Sequence, residues 1–267
     1  MGIYLHKTVV PRLDKKIPPT PATDEEADGL LDSMQDTIAN FLDVVLRYGN
    51  IVGYAQEQDG RLLQHVFPKK DSETRQISGS SKAELHLHTE AAFHPYKPDY
   101  VALMCVRGDA SAATVYSSLE EVLPTLSTFA INELYQPHFV TSVDESFRAR
   151  GESDQHITMP VLRMDKDGKR TLVFDAGLMT GTRPAANVAL AEFKEAAAAK
   201  AREVTLEAGD ILILDNRTIV HGRRPFTPRY DGTDRWLLRA LIREELPPSA
   251  DYEGGVITTT DFSKVGV

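Results

Sequence analysis

The chain has 267 residues, 42% of them hydrophobic, and a formal net charge of −9, with a pI near 5.4. This length and apolar content fit one large domain or two small ones with a sizeable core, and the acidic balance argues against a general polyanion-binding role, so no nucleic-acid partner is expected. No apolar run approaches the roughly 18 residues of a membrane helix, the first seven residues lack the apolar region of a secretory signal, and the single cysteine, Cys105, lies in an apolar run where a buried, inert thiol is expected; these features suit a cytoplasmic protein without a membrane partner.

Four prolines, Pro11, Pro18, Pro19 and Pro21, make residues 1–22 read as an extended lead-in. Thr23 with Glu26 three residues on forms a capping box. It predicts a helix to about Tyr48, with Leu30, Leu31, Met34, Ile38, Phe41, Leu42 and Val45 on one face and Gly49 as C-cap. Residues 53–63 read as a strand, a turn at Asp59-Gly60 and a second strand. A polar, serine-rich loop over 69–84 precedes a strand containing His88. A largely apolar strand follows from Asp99 to Val106, then a turn at Arg107-Gly108-Asp109 and a strand at Thr114-Val115-Tyr116.

Ser118 with Glu121 caps a second predicted helix through about Asn132. Residues 136–156 show no period. Met159–Met164 and Arg170–Phe174 read as a hairpin around Asp165-Lys166-Asp167-Gly168, and the alanine-rich stretch from Pro184 to Ala201 as a helix with proline near its start. Three apolar strands close the chain: Ile211–Leu214, Thr218–His221 and Arg235–Ile242. There is no dinucleotide glycine fingerprint, phosphate loop, Cys-x-x-Cys or internal repeat. Strands and helices do not alternate regularly. The expected fold is therefore mainly β with inserted helices, a jelly-roll (double-stranded β-helix) core buttressed by α-helices, in one domain over 1–267.

Three histidines and two glutamates fall within the eleven residues from Glu84 to His94. In an extended strand, His88 and Glu90 point to one face. They would supply two ligands of the 2-His-1-carboxylate set that leaves positions open on non-haem Fe(II). Such a pair is common by chance and needs a second histidine. His221 follows an apolar strand late in the chain. Arg235 and Arg239 share a strand face, and an arginine in an apolar strand asks for an anion. For Arg223, Arg224 and Arg229 a second reading is a set of solvated arginines on a loop. Trp236 reads as core packing, His86 and His94 as packing or hydrogen-bonding groups beside the site, and His6, His65, His138 and His156 carry no pattern.

His88-x-Glu90, His221 and Arg235 together resemble the iron and 2-oxoglutarate signature of the taurine dioxygenase superfamily. The strings Leu87-His88-Thr89-Glu90-Ala91-Ala92-Phe93-His94-Pro95, Val220-His221-Gly222-Arg223 and Tyr230-Asp231-Gly232-Thr233-Asp234-Arg235-Trp236-Leu237-Leu238-Arg239 resemble its clavaminate synthase-like branch, which includes hydroxylases of free arginine, asparagine and lysine. The resemblance runs from about Leu46 to Ile242. It implies that His88, Glu90 and His221 bind Fe(II), that Arg235 holds the distal carboxylate of 2-oxoglutarate with help from Thr114, and that Arg239 lies near the cosubstrate and meets a substrate carboxylate. Glu57 stands where relatives carry a glutamine that contacts the substrate amino group. Asp175 matches an acidic site near the lid, whereas Gly177 stands where guanidine-binding relatives carry a second acid. O2 is the implied co-reactant. Halogenating relatives lack the ligand carboxylate, so Glu90 implies hydroxylation, desaturation or ring closure. The implied partner is a small molecule, most simply a free amino acid. The alternatives are a carrier-bound amino acid, nucleoside or peptide intermediate, or a non-catalytic jelly-roll binding protein.

Overall fold

The structure, a computed structural model, describes residues 2–7, 17–148 and 158–262; Pro11 and His156, named above, lie outside them. In chain order the strands are β1 (Ile3–His6), β2 (Asn50–Tyr54), β3 (Leu63–Val66), β4 (Leu85–His88), β5 (Tyr100–Arg107), β6 (Thr114–Ser118), β7 (Phe139–Thr141), β8 (Leu162–Met164), β9 (Arg170–Leu172), β10 (Met179–Gly181), β11 (Arg202–Val204), β12 (Ile211–Asp215), β13 (Ile219–Arg223), β14 (Trp236–Arg243), β15 (Tyr252–Glu253) and β16 (Val256–Ile257). The α-helices are α1 (Asp24–Leu30), α2 (Gln35–Val45), α3 (Leu119–Val122), α4 (Thr128–Leu134), α5 (Glu145–Arg148) and α6 (Pro184–Ala199).

Two sheets carry the architecture. The larger runs β1-β12-β5-β14-β2-β16-β15, with β3 also paired to β14; the smaller runs β11-β6-β13-β4. The β5 and β12 strands are largely continuous apolar runs, and β14 is one interrupted by Arg239, because both of their faces are covered. Ala102, Met104, Ile211, Ile213, Trp236 and Leu238 pack outward against Ala27, Phe41 and Val45 of the first two helices. Their neighbours Val101, Leu103, Leu212, Leu214, Leu237 and Leu241 face inward, where they meet Ile219 of β13. Val220, one residue on, faces the other way, into a cluster with Ala130 and Leu134 of α4 and Leu190 and Phe193 of α6. The period-2 alternation of side chains thus builds helices, sheet, inner core, sheet and helices in succession. Trp236 is core packing, as expected, and its indole N–H donates to Nδ1 of the buried His65 at 3.2 Å.

The structure corrects several sequence expectations. The lead-in includes a paired strand: Ile3–His6 extends the larger sheet along β12. The first helix is not continuous to Tyr48, because a 3-10 turn over Leu31–Met34 separates α1 from α2. There Ser33 Oγ donates to Leu30 O at 2.7 Å, a local bond that competes with α-helical geometry. Thr23 caps α1 as read, its side chain accepting from Glu26 N. The second helix breaks at Pro124, which has no N–H to continue the ladder. It resumes as α4 behind a new cap, Ser127, whose hydroxyl accepts from Ala130 N. β2 and β3 do not pair as a hairpin; both lie along β14.

Candidate active site

The inward faces of β4, β6, β13 and β14 open onto a cavity of about 230 Å³. His88 ends β4, and Glu90 follows two residues later. The backbone between them is held from both sides. Thr89 N donates to Phe174 O at 2.7 Å, while Thr89 Oγ1 accepts from Phe174 N at 3.1 Å. Asn216, 1% exposed, accepts from Glu90 N at 2.7 Å and donates to Glu90 O at 3.1 Å and to Pro98 O at 2.8 Å. A side-chain amide thus satisfies buried backbone groups that no strand pairing reaches.

His221 lies opposite His88 in the antiparallel pairing of β13 with β4, next to a register shift that brings Arg223 opposite Leu85. Such bulges re-aim side chains beside sites. Gly222 sits in this bulge. A Cβ there would lie 2.3 Å from Leu85 O, so the close approach of the two strands requires glycine.

One ligand atom from each of His88, Glu90 and His221 lies within 4.8 Å of the others. His221 Nε2 is 3.6 Å from Glu90 Oε2. His88 Nδ1 is 2.7 Å from the carbonyl of His86; a carbonyl only accepts, so Nδ1 carries the proton and Nε2 keeps its lone pair. Fixing the tautomer in this way is what a metal-binding imidazole needs. Burial opposes ionisation of Glu90, but Arg239 and the imidazoles of His221 and His88 outweigh it and hold the carboxyl far below its usual range. Burial disfavours the charged form of His221 and lowers it. Two imidazoles and an ionised carboxylate fit a divalent non-haem metal.

Three arginines, Arg223, Arg235 and Arg239, line the same cavity. Arg235, 8% exposed, donates from Nη2 to Thr114 Oγ1 at 3.1 Å and makes no carboxylate pair among the described residues. Burial pushes it down to about 10. Arg239, 5% exposed, donates from Nε to Gln64 Oε1 at 2.7 Å, from Nη1 to Glu90 Oε1 at 3.0 Å and from Nη2 to Glu57 Oε1 at 2.5 Å. Burial works against its charge, but the two carboxylates prevail and raise it. Burial lifts Glu57 above its ordinary range despite Arg239.

Glu57 and Asp175 both line the cavity, as do His86, Leu237 and Asp144. Asp175 Oδ1 accepts from Gly177 N and Leu178 N, both at 2.7 Å. Asp144 is pushed well above the carboxyl range by burial, then by Asp175, Glu90 and Glu57. The sequence gives no signal for Asp144, which falls in the stretch without a period. Gln64 and Asn216 also escape notice, the latter because an asparagine between two strands reads as turn chemistry. His94 stands apart from the cavity. Its ring packs edge-on to Tyr54 at 4.8 Å and beside Phe262 at 5.1 Å, and burial pushes it down to about 3. Arg223 is not solvated: it is 3% exposed on β13. Arg224 and Arg229 are exposed and paired, with Glu203 and Asp109 respectively.

A cavity in which two imidazoles, a carboxylate and a guanidinium without a carboxylate partner among the described residues converge is a candidate non-haem metal centre. The chain belongs to the taurine catabolism dioxygenase TauD, TfdA family, whose model it matches over residues 21–241. It is 36% identical over 232 residues to an L-lysine 3-hydroxylase of Catenulispora acidiphila, covering 85% of this chain and 64% of that protein. It is 37% identical over 200 residues to an L-asparagine oxygenase of Streptomyces coelicolor, covering 74% of this chain and 59% of that protein. The chain thus spans about three fifths of the length of these two curated relatives. Among solved structures, asparagine oxygenase in complex with Fe(II), 2S,3S-3-hydroxyasparagine and succinate superposes with a TM-score of 0.80 at 30% identity, covering 97% of this chain and 80% of that one. The non-haem iron oxygenase OrfP, in complex with Fe, succinate and (3S)-hydroxy-L-Arg, gives 0.81 at 27% identity, covering 96% and 82%. Among the described residues no helix is long and apolar enough to cross a membrane.

Proposed function

We propose that the protein is an Fe(II)- and 2-oxoglutarate-dependent dioxygenase that hydroxylates an unactivated C–H of a free amino acid or a close derivative. The observation that carries this reading is the convergence of His88, Glu90 and His221 in one cavity with Arg235, a buried guanidinium that no carboxylate matches among the described residues. His88, Glu90 and His221 would hold the iron. Arg235, braced by Thr114, would take the distal carboxylate of 2-oxoglutarate, a bidentate partner suited to its fork. When bound, iron and 2-oxoglutarate supply the oxidising power that, with O2, replaces a C–H hydrogen by hydroxyl, leaving succinate and carbon dioxide. The chain's own residues bind, orient and shield the reactants. The two facing sheets suit a jelly-roll core, and we read residues 1–267 as one such domain. The lone buried Cys105 is suited to a reducing cytoplasm.

The relatives named above act on, or hold products of, lysine, asparagine and arginine. For this chain we assign Arg239, Glu57 and Asp175 to the substrate side, and the acids there favour a cationic side chain. Arg239 matches Glu57 and Glu90. Among the described residues neither Asp144 nor Asp175 makes an ion pair, and a substrate ammonium beside them would favour the ionised form of Asp144.

The reading is tested anaerobically by adding Fe(II) and 2-oxoglutarate and recording the weak visible charge-transfer band, with calorimetry in parallel. Absence of both band and binding would refute it. Substrate-stimulated succinate release across free L-amino acids then identifies the substrate, with lysine and ornithine expected ahead of asparagine, and ahead of arginine because Gly177 supplies no second acid for a guanidinium.

A further inference from the structure

Arg223 is the second guanidinium in this cavity without a carboxylate partner among the described residues. It lies two residues beyond His221 on the same face of β13, and its Nη1 and Nη2 donors are spent on three backbone carbonyls and a serine hydroxyl of one loop. Nη1 donates to Ser80 O at 2.5 Å and Ser78 O at 3.4 Å; Nη2 donates to Ala83 O at 2.8 Å and Ser80 Oγ at 3.0 Å. These acceptors belong to the serine-rich loop before β4, whose Gln76, Ile77 and Ser78 form part of the cavity wall. Ser80 and Ser81 are 1% and 0% exposed. The buried Ser80 carbonyl needs a donor, and one planar guanidinium serves it together with the part-buried carbonyls of Ser78 and Ala83, which a lysine ammonium could not span.

Thr114 joins Arg223 to Arg235. It is the cross-strand neighbour of Arg223 on β6, and its hydroxyl accepts from Arg235. Two buried cations on either side of one threonine repel each other, and an anion bound at Arg235 would relieve both.

We propose that Arg223 is a positioning residue that holds the 76–83 wall over the cavity and tightens it when an anion occupies the Arg235 end. The identity of that anion as 2-oxoglutarate rests on the function proposed above. The wall bounds the substrate space, so cosubstrate binding would shape the site before substrate enters.

The test is hydrogen exchange of the segment 73–84 in the full chain loaded with Zn(II), which supports no turnover, with and without 2-oxoglutarate at a concentration shown by calorimetry to bind. In the unaltered protein, 2-oxoglutarate is expected to slow exchange of this segment severalfold. Arg223→Gln should speed its exchange in the absence of ligand and abolish the response, while weakening 2-oxoglutarate by no more than about tenfold, the size of one charge-assisted bond. Arg223→Lys, the milder variant should the first not fold, should keep part of the protection. In turnover it should raise KM for the amino acid more than KM for 2-oxoglutarate, a split that a merely structural residue would not produce. Exchange of 73–84 unchanged in Arg223→Gln overturns the clamp. Binding of 2-oxoglutarate to the unaltered protein without slowed exchange overturns the coupling. Failure of 2-oxoglutarate to bind the unaltered protein refutes the functional reading instead, and the ligand-free exchange of Arg223→Gln still decides the clamp.

Discussion

Arg235 and Arg239 are four residues apart, line one cavity and are almost equally buried, yet their surroundings differ. Arg239 bridges two carboxylates and an amide, so its charge is answered inside the protein. Arg235 has a threonine hydroxyl for a partner and is held below its ordinary range by burial. The first arginine organises the site, because by taking Glu90 Oε1 it leaves Oε2 on the side of His221. The second is the cation that the proposed function assigns to an incoming anion. The difference suggests that a buried arginine marks a ligand site when its charge has no answer in the fold.

The largest test of this contrast is stability without ligands. Arg239→Met would leave Glu57 and Glu90 buried without their cation, and breaking a buried pair in this way costs about 3–5 kcal/mol. Arg235→Met removes a buried charge that no carboxylate pairs among the described residues, so in the metal-free protein it should be neutral or stabilising. Urea unfolding of both variants decides between these outcomes; equal losses would erase the distinction. Next in size is cosubstrate affinity. Arg235→Ala should weaken 2-oxoglutarate by roughly 100-fold, the loss of a bidentate charge-assisted contact. Zn(II) affinity, measured by calorimetry, should stay unchanged. A parallel loss of metal binding would show that Arg235 serves the metal ligands and not the anion.

Much of this arrangement was legible in the sequence because it rests on spacing. His88 with Glu90, and Arg235 with Arg239, are evenly spaced pairs whose members all reach the cavity, although Glu90 follows the end of β4 and Arg235 precedes the start of β14, so the strand alternation read from the sequence holds for only one member of each pair. The apolar strands at 100–107, 211–215 and 236–243 were likewise legible. What escaped depends on contacts between distant segments. A continuous apolar face hid the break between α1 and α2, which a single serine hydroxyl decides. Arg223 looked like one of several loop arginines, and its burial depends on a loop more than a hundred residues earlier in the chain folding over it. Asp144 lies in a stretch without a period, and only the folded chain brings it to the other carboxylates. Nothing in the spacing of Glu57 indicates that it pairs with Arg239.

The acidic side of the cavity offers a third, smaller test. Asp144 is raised well above the ordinary carboxyl range, so the free protein holds its proton to higher pH than a solvated aspartate does. A cationic substrate favours the ionised form, so binding releases that proton and affinity rises with pH as Asp144 ionises. Asp144→Asn should raise KM for a cationic amino acid about tenfold at high pH, near the low end for a charge-assisted contact. It should also flatten the pH dependence of kcat/KM. A neutral amino acid as the preferred substrate, with Asp144→Asn silent, would move the contrast away from charge on this side.

The smallest effect belongs to Thr114, and it asks how much of the behaviour of Arg235 comes from its one protein partner. Thr114→Val keeps the β-branched shape on β6 and removes the hydroxyl that accepts from Nη2 at 3.1 Å. The strand should be undisturbed, because valine is at least as suited to it as threonine. The guanidinium loses one hydrogen bond, which is worth about 0.5–1.5 kcal/mol net. If the hydroxyl only steers the fork toward the anion, 2-oxoglutarate should weaken by roughly 2- to 10-fold, with metal affinity and kcat unchanged. A loss as large as that of Arg235→Ala would mean that threonine and arginine act as one unit. In that case the cation is held in place by its neighbour, and burial with an unanswered charge would not alone make the site.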